Sequence, residues 1–65
     1  MKPKQITING YDTYFTDTGT YLLIAIPLDA GKDISDICGT FVNGHLIRMV
    51  DYDTINGIRF IKAHY

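Results

Sequence analysis

All three asparagines of this 65-residue chain are followed by glycine, at Asn9-Gly10, Asn43-Gly44 and Asn56-Gly57. An Asn-Gly pair accepts positive φ at both residues and favours the type I′ turn, whose twist matches the two strands it joins. Three such pairs in so short a chain predict a protein built from tight antiparallel hairpins. The composition agrees. All seven acidic residues are Asp, a residue of turns and caps, and none is Glu, which suits helix interiors. Ten isoleucines stand against four leucines, and β-branched side chains favour strands.

A two-residue loop at Asn9-Gly10 sets Ile8 opposite Tyr11, Ile6 opposite Thr13 and Lys4 opposite Phe15. Alternation then gives an inner face of Ile6, Ile8, Tyr11, Thr13 and Phe15, and an outer face of Gln5, Thr7, Asp12 and Tyr14. The next turn lies near Asp17-Thr18-Gly19. A four-residue loop over Asp17–Thr20 turns Leu22, Ile24 and Ile26 inward; a three-residue loop turns Tyr21, Leu23 and Ala25 inward instead. One residue of slip exchanges the faces, and burial of the larger aliphatics favours the first reading. The third strand is apolar on both sides, the mark of a central or doubly covered strand. Pro27 ends its pairing. Ala30, Ile34, Ile37 and Cys38 then recur with helical spacing. Asp29 or Asp33 is the expected cap, Gly39 the stop, and Gly31 limits the element to one or two turns.

The second Asn-Gly pairs Val42 with His45, Phe41 with Leu46 and Thr40 with Ile47. The third pairs Ile55 with Ile58, Asp53 with Phe60, Tyr52 with Ile61, Asp51 with Lys62 and Val50 with Ala63. Together they imply one long middle strand, His45 to Ile55. One of its faces carries Phe41, Leu46, Arg48, Val50, Tyr52, Ile61, Ala63 and Tyr65. The other carries Val42, His45, Ile47, Met49, Asp51, Ile55, Ile58, Phe60 and Lys62, with Asp51 and Lys62 forming a wet cross-strand pair. The expected fold is a single domain over residues 1–65, mainly β (all-β or α+β): a small antiparallel meander or partly open barrel of five to six strands, with one short helix near 30–38.

Size narrows the function classes. A domain this short buries only about 60% of its unfolded surface, and small scaffolds lean on disulfides, metals or association. Cys38 is the only cysteine, so an internal disulfide is excluded. A lone cysteine and no signal-peptide pattern point to a reducing, cytoplasmic interior. The apolar run Tyr21 to Leu28 is too short to span a membrane as a helix. With a formal charge of −1, the basic footprint of a nucleic-acid binder is missing.

Catalytic and metal motifs are weak. Asp51 and Asp53 share a strand face, but the further oxygens, glycine and terminal Glu of a calcium loop are missing. Cys38, His45 and His64 lack the close spacing of a zinc site; Cys38 reads as a small core residue and His45 as a solvated one. Asp17-Thr18-Gly19 is the tripeptide of aspartic proteases, which need two such loops; here there is one, and Asp-x-Gly is ordinary turn chemistry. Gly31-Lys32 lacks the spacing of a phosphate loop. No catalytic residue, metal or cofactor is therefore expected.

Tyrosine is in excess, with Tyr11, Tyr14, Tyr21, Tyr52 and Tyr65. Tyr11 and Tyr52 are expected to border the core. The surplus apolar positions Tyr14, Tyr21, Leu23, Ile47, Met49, Ile58 and Phe60 lie off the two inner faces and are the expected partner-binding residues, because contiguous apolar surface marks interfaces. The expected function is a small, non-enzymatic protein-binding module. It would self-associate as a homodimer and act as an adaptor or inhibitor of a larger protein, a format that suits an accessory or phage-encoded product. The alternative is a single-stranded nucleic-acid binder on an OB- or SH3-like barrel, with aromatic stacking and Lys2, Lys4, Arg48, Arg59 and Lys62 along the backbone.

Overall fold

The computed structural model describes residues 2–65. The three Asn-Gly pairs are hairpin turns, with φ of 49°, 51° and 52° at Asn9, Asn43 and Asn56 and of 86°, 81° and 79° at the glycines that follow. Positive φ at both central residues is the type I′ signature. The strands are β1 (Lys4–Ile8), β2 (Tyr11–Asp17), β3 (Tyr21–Ala25), β4 (Phe41–Val42), β5 (His45–Leu46), β6 (Met49–Ile55) and β7 (Ile58–His64). Five form one antiparallel sheet in the order β1-β2-β3-β7-β6, and β4-β5 form a separate ribbon. The sheet is open, with β1 and β6 as its two edges.

The registers of the Asn-Gly hairpins are those expected from their loop lengths. The β2–β3 hairpin differs. Phe15 faces Ile24 and Asp17 faces Leu22, two residues away from the pairing that an Asp17–Thr20 loop implies. Thr18 N–H reaches Tyr21 C=O at 3.0 Å, so the loop is the pair Gly19-Thr20. Gly19 has φ +99° at the first central position, where a type II′ turn needs glycine. A shift of two preserves the faces, and Leu22 and Ile24 are fully buried.

Pro27 follows the last pairing of this strand, in which Ile26 N–H reaches Arg59 C=O at 2.9 Å. The short helix is one 3₁₀ turn, Lys32–Ser35. Its cap position is Gly31, with no side-chain cap; neither Asp29 nor Asp33 serves. Asp33 instead accepts the Tyr11 hydroxyl at 2.8 Å.

The core lies between the inner face of the sheet and this connecting segment. The sheet contributes Ile8, Phe15, Leu22, Ile24, Ile61 and Ala63; the cover contributes Ile34, Ile37, Val42 and Ile47. The long strand from His45 to Ile55 does not form. Gly39 N–H donates to Ile47 C=O at 2.7 Å, while Ile47 N–H donates to Thr40 C=O at 2.9 Å. Gly39 has φ +83°. Two residues thus oppose one, with glycine left-handed at the first position, which is the G1 bulge. One residue later, Arg48 N–H turns to His64 C=O at 2.8 Å. The chain passes from ribbon to sheet between Ile47 and Arg48, and its alternation reverses there. Val42 and Ile47 point into the core, and Phe41 and Leu46 point to solvent, the opposite of the continuous-strand reading.

Candidate functional site

Only one face of the five-stranded sheet is covered by the described residues. The register places the outer side chains in rows. Ala25, Phe60 and Asp53 run across β3, β7 and β6 beside Tyr14 and Gln5; Thr16, Leu23, Lys62 and Asp51 form the next row; Tyr21, His64 and Met49 form the third. Ile55 and Ile58 face each other at the tip of the β6–β7 hairpin. This surface arises because the alternation that buries Leu22 and Ile24 sends the apolar Tyr21, Leu23 and Ala25 of the same strand to the opposite side.

Six of the expected partner-binding residues meet on this face. Tyr14, Met49 and Ile58 are exposed, and Tyr21, Leu23 and Phe60 are half-buried by their neighbours. The seventh, Ile47, is fully buried. The bulge and the reversal after it place Ile47 in the core, which removes it from any binding surface.

Apart from Asp12 on β2, which accepts the Thr7 hydroxyl at 2.7 Å, the charge on this face lies on the β7–β6 side. Lys62 Nζ lies 3.5 Å from Asp53 Oδ2, two residues along β6 from its direct partner Asp51. Asp51 Oδ2 lies 3.2 Å from His64 Nε2, within ion-pair reach but without hydrogen-bond alignment. The expected Asp51–Lys62 pair is thus two diagonal contacts. Lys62 also sits over the Tyr21 ring at 5.3 Å from its centroid, and the Tyr21 and His64 rings contact at 5.3 Å with a 48° tilt. These half-exposed pairs are each worth about 0–1 kcal/mol. They organise the surface more than they stabilise the fold. The result is an apolar patch over β2, β3 and β7 with an acidic border on β6.

A second polar cluster joins three distant segments. Asp17 Oδ1 accepts the Tyr65 hydroxyl and, at 2.9 Å, the Gly19 N–H. Its Oδ2 lies 3.1 Å from His45 Nε2, and the His45 ring stacks on Tyr65 at 3.7 Å and 12°. The Tyr65 hydroxyl, the Gly19 amide and His45 hold the Asp17 carboxyl below its ordinary range. The carboxylate in turn pushes the Tyr65 phenol above its ordinary value. His45 is therefore half-buried and partnered, where solvation was expected. The Asp17-Thr18-Gly19 tripeptide is a turn whose carboxylate braces the β4–β5 ribbon against the sheet.

The chain matches no known family model, no curated protein and no solved structure.

The remaining motifs lie apart from one another. Cys38 is exposed, not packed, and its thiol donates to Arg48 C=O at 3.2 Å. Among the described residues no three His, Cys or Asp side chains gather as a metal site, and no helix is long and apolar enough to cross a membrane. Tyr11 packs against the core and accepts the Gly31 N–H at 3.2 Å. Tyr52 is exposed, its hydroxyl donating to Ser35 at 2.6 Å. It stands beside an open cleft of about 630 Å³ between the 3₁₀ turn and β6–β7, rimmed by Lys32 and Arg59. Sequence spacing carries no sign of the Asp17–His45–Tyr65 cluster, because its members are 28 and 48 positions apart.

Proposed function

We propose that this chain is a small non-enzymatic protein-binding module that self-associates and acts as an adaptor or inhibitor of a larger protein. The observation that carries the reading is the outer sheet face, where Tyr14, Tyr21, Leu23, Met49, Ile58 and Phe60 share one uncovered surface. Aromatic and Met side chains are enriched in interfaces, and a contiguous apolar patch costs solubility unless it is used. The acidic border of Asp51 and Asp53 favours a partner whose apolar contact surface has a basic margin, since complementary rims steer encounter and fix register. The polar clusters support a non-catalytic role. The Asp17 carboxylate is engaged by three donors, and the Cys38 thiol donates a hydrogen bond to a backbone carbonyl. The nucleic-acid alternative draws on the same aromatics. But Lys62, the cation among them, is held by Asp53, and an acidic border repels phosphate.

Photo-crosslinking tests the face directly. A benzophenone side chain is placed at Phe60 in one chain and, in another, at Leu28, which is fully exposed in the turn that follows β3. Light-activated adducts of discrete mass at Phe60, with none at Leu28, support the reading. Equal labelling at both positions overturns it. Light scattering tests self-association: the mass should rise above one chain at micromolar concentration.

A further inference from the structure

We propose that a second copy of this chain adds to the edge of β1, forming an antiparallel β1–β1 pair about a twofold axis at Ile6. This rests on the self-association proposed above and names its seat. In a two-residue hairpin the residues flanking the loop exchange hydrogen bonds, and the exchange recurs at every second residue. Ile8, Ile6 and Lys4 therefore turn their backbone groups toward β2, while Gln5 and Thr7 turn theirs outward. No described residue pairs with that edge. By the same rule Val50, Tyr52 and Thr54 face outward along β6.

The two edges differ in what a copy of the chain would meet. Antiparallel self-pairing of β6 centred on Tyr52 sets Asp51 opposite Asp53 of the copy, twice. Centring on Asp51 or Asp53 sets that carboxylate against itself. Like charges directly opposite are destabilising, and charge on an edge is a common defence against pairing. The β1 run Gln5-Ile6-Thr7-Ile8 carries no charge. Centred on Ile6, Gln5 pairs with Thr7 of the copy in two equivalent places, giving four main-chain hydrogen bonds. Ile6 meets Ile6, and Lys4 lies across from Ile8.

Two further observations fit a copy of this chain. Beside the β1 edge runs a groove of about 480 Å³ whose lining includes Ile6, Ile8, Ile37, Phe41 and Val42, with Phe41 exposed on its wall. Paired residues share a face, so Ile6 of the copy projects to the groove side. The edge is also electrically polar. Lys2 and Lys4 stand at its start. At its end the Asn9 amide donates to Asp33 C=O at 2.6 Å, which brings the Asp33 and Asp36 segment alongside. Antiparallel pairing lays each basic end against the other copy's acidic end. Pairing β1 to β6 of a neighbour would instead alternate the covering layers and leave free edges at both ends, giving open chains of copies.

The test uses the full chain made by chemical synthesis, with an N-methyl group on the Thr7 amide. That change removes an outward donor and leaves the fold's own hydrogen bonds intact. Losing two of the four intermolecular bonds should weaken the dimer about 30-fold in sedimentation equilibrium, with the circular dichroism unchanged. In a Cys38→Ser background, Ile6→Cys should oxidise to a linked dimer, because it sits on the axis at close Cα spacing, while Met49→Cys on β6 should not. A wild-type dimer that survives Thr7 methylation overturns this seat and leaves self-association standing. A mass that climbs past two chains without a plateau also overturns it. A wild type of single-chain mass at every concentration removes both.

Discussion

Ile47 and Ile58 would look alike if β5 and β6 were one continuous strand, and replacing each with alanine separates the two arrangements. Ile47 is fully buried and Ile58 is 53% exposed. Ile→Ala removes three carbons, worth about 0.8 kcal/mol each when buried, or about 2.4 kcal/mol of transfer free energy. A cavity that the bulged ribbon fills only in part raises the loss at Ile47 to about 3–4 kcal/mol. At Ile58, where roughly half the side chain is already wet, about 1 kcal/mol is expected. A 65-residue domain has about 3–10 kcal/mol in total, so Ile47→Ala should leave the chain near its unfolding threshold. The assay is urea unfolding at dilute concentration, followed by far-ultraviolet circular dichroism. With a slope of about 1 kcal/mol per molar urea, the midpoint should fall by about 3 M for Ile47→Ala and about 1 M for Ile58→Ala. Equal losses at the two positions would refute the reversal at Arg48 and restore a straight strand.

Gly39→Ala places a side chain at φ +83° where no atom approaches its Cβ; the cost is conformational, about 1–2 kcal/mol, read as a drop of roughly 4–16 °C in Tm. Thr13→Val removes the donor to Ala25 C=O, now bonded at 2.6 Å inside the sheet, and should cost about 1–3 kcal/mol in the same urea assay. Tyr65→Phe should lower Tm most at neutral pH. The lowered Asp17 pKa contributes stability above 3.8 that is lost as pH falls through the folded value. The raised Tyr65 pKa contributes stability below 10.0 that is lost as pH rises through its folded value. The gap between wild type and variant should therefore close at both extremes, and a gap that stays constant with pH would disprove the brace.

Local chemistry made the hairpins legible. Each Asn-Gly pair sets its own register because turn geometry and strand twist act within a few residues. The inner face of β3 was legible for a related reason, since parity is decided by which aliphatics must be buried. Its partner-by-partner pairing was not, because two registers of the same parity bury the same side chains, and the Gly19-Thr20 turn chose between them. The β3–β7 pairing that unites the halves was equally hidden, since nothing near Leu22 names Ala63. Ile47 was misplaced because a bulge is a backbone event: the glycine that makes it, Gly39, reads as a helix stop. The outer face emerged almost whole, because it is the complement of the inner one. The Asp17–His45–Tyr65 cluster needed the assembled sheet and ribbon to bring its members together.

The place of β7 between β3 and β6 also sets an order of assembly. Strands β1 to β3 can zip by adjacent turns, but the far side of β3 stays unpaired until β7 has been made. Ribosomes add about 5–20 residues per second, so the segment from Tyr21 to Ile26 waits roughly 2–8 s for the partner that seals it. Apolar on both sides and free of charge, that segment has the composition of an aggregating strand. The growing chain is thus most vulnerable after its first half has found its shape, and crowding of nascent chains or slow decoding in the 32-to-58 stretch should lower the yield of folded protein far more than the same delay before residue 20.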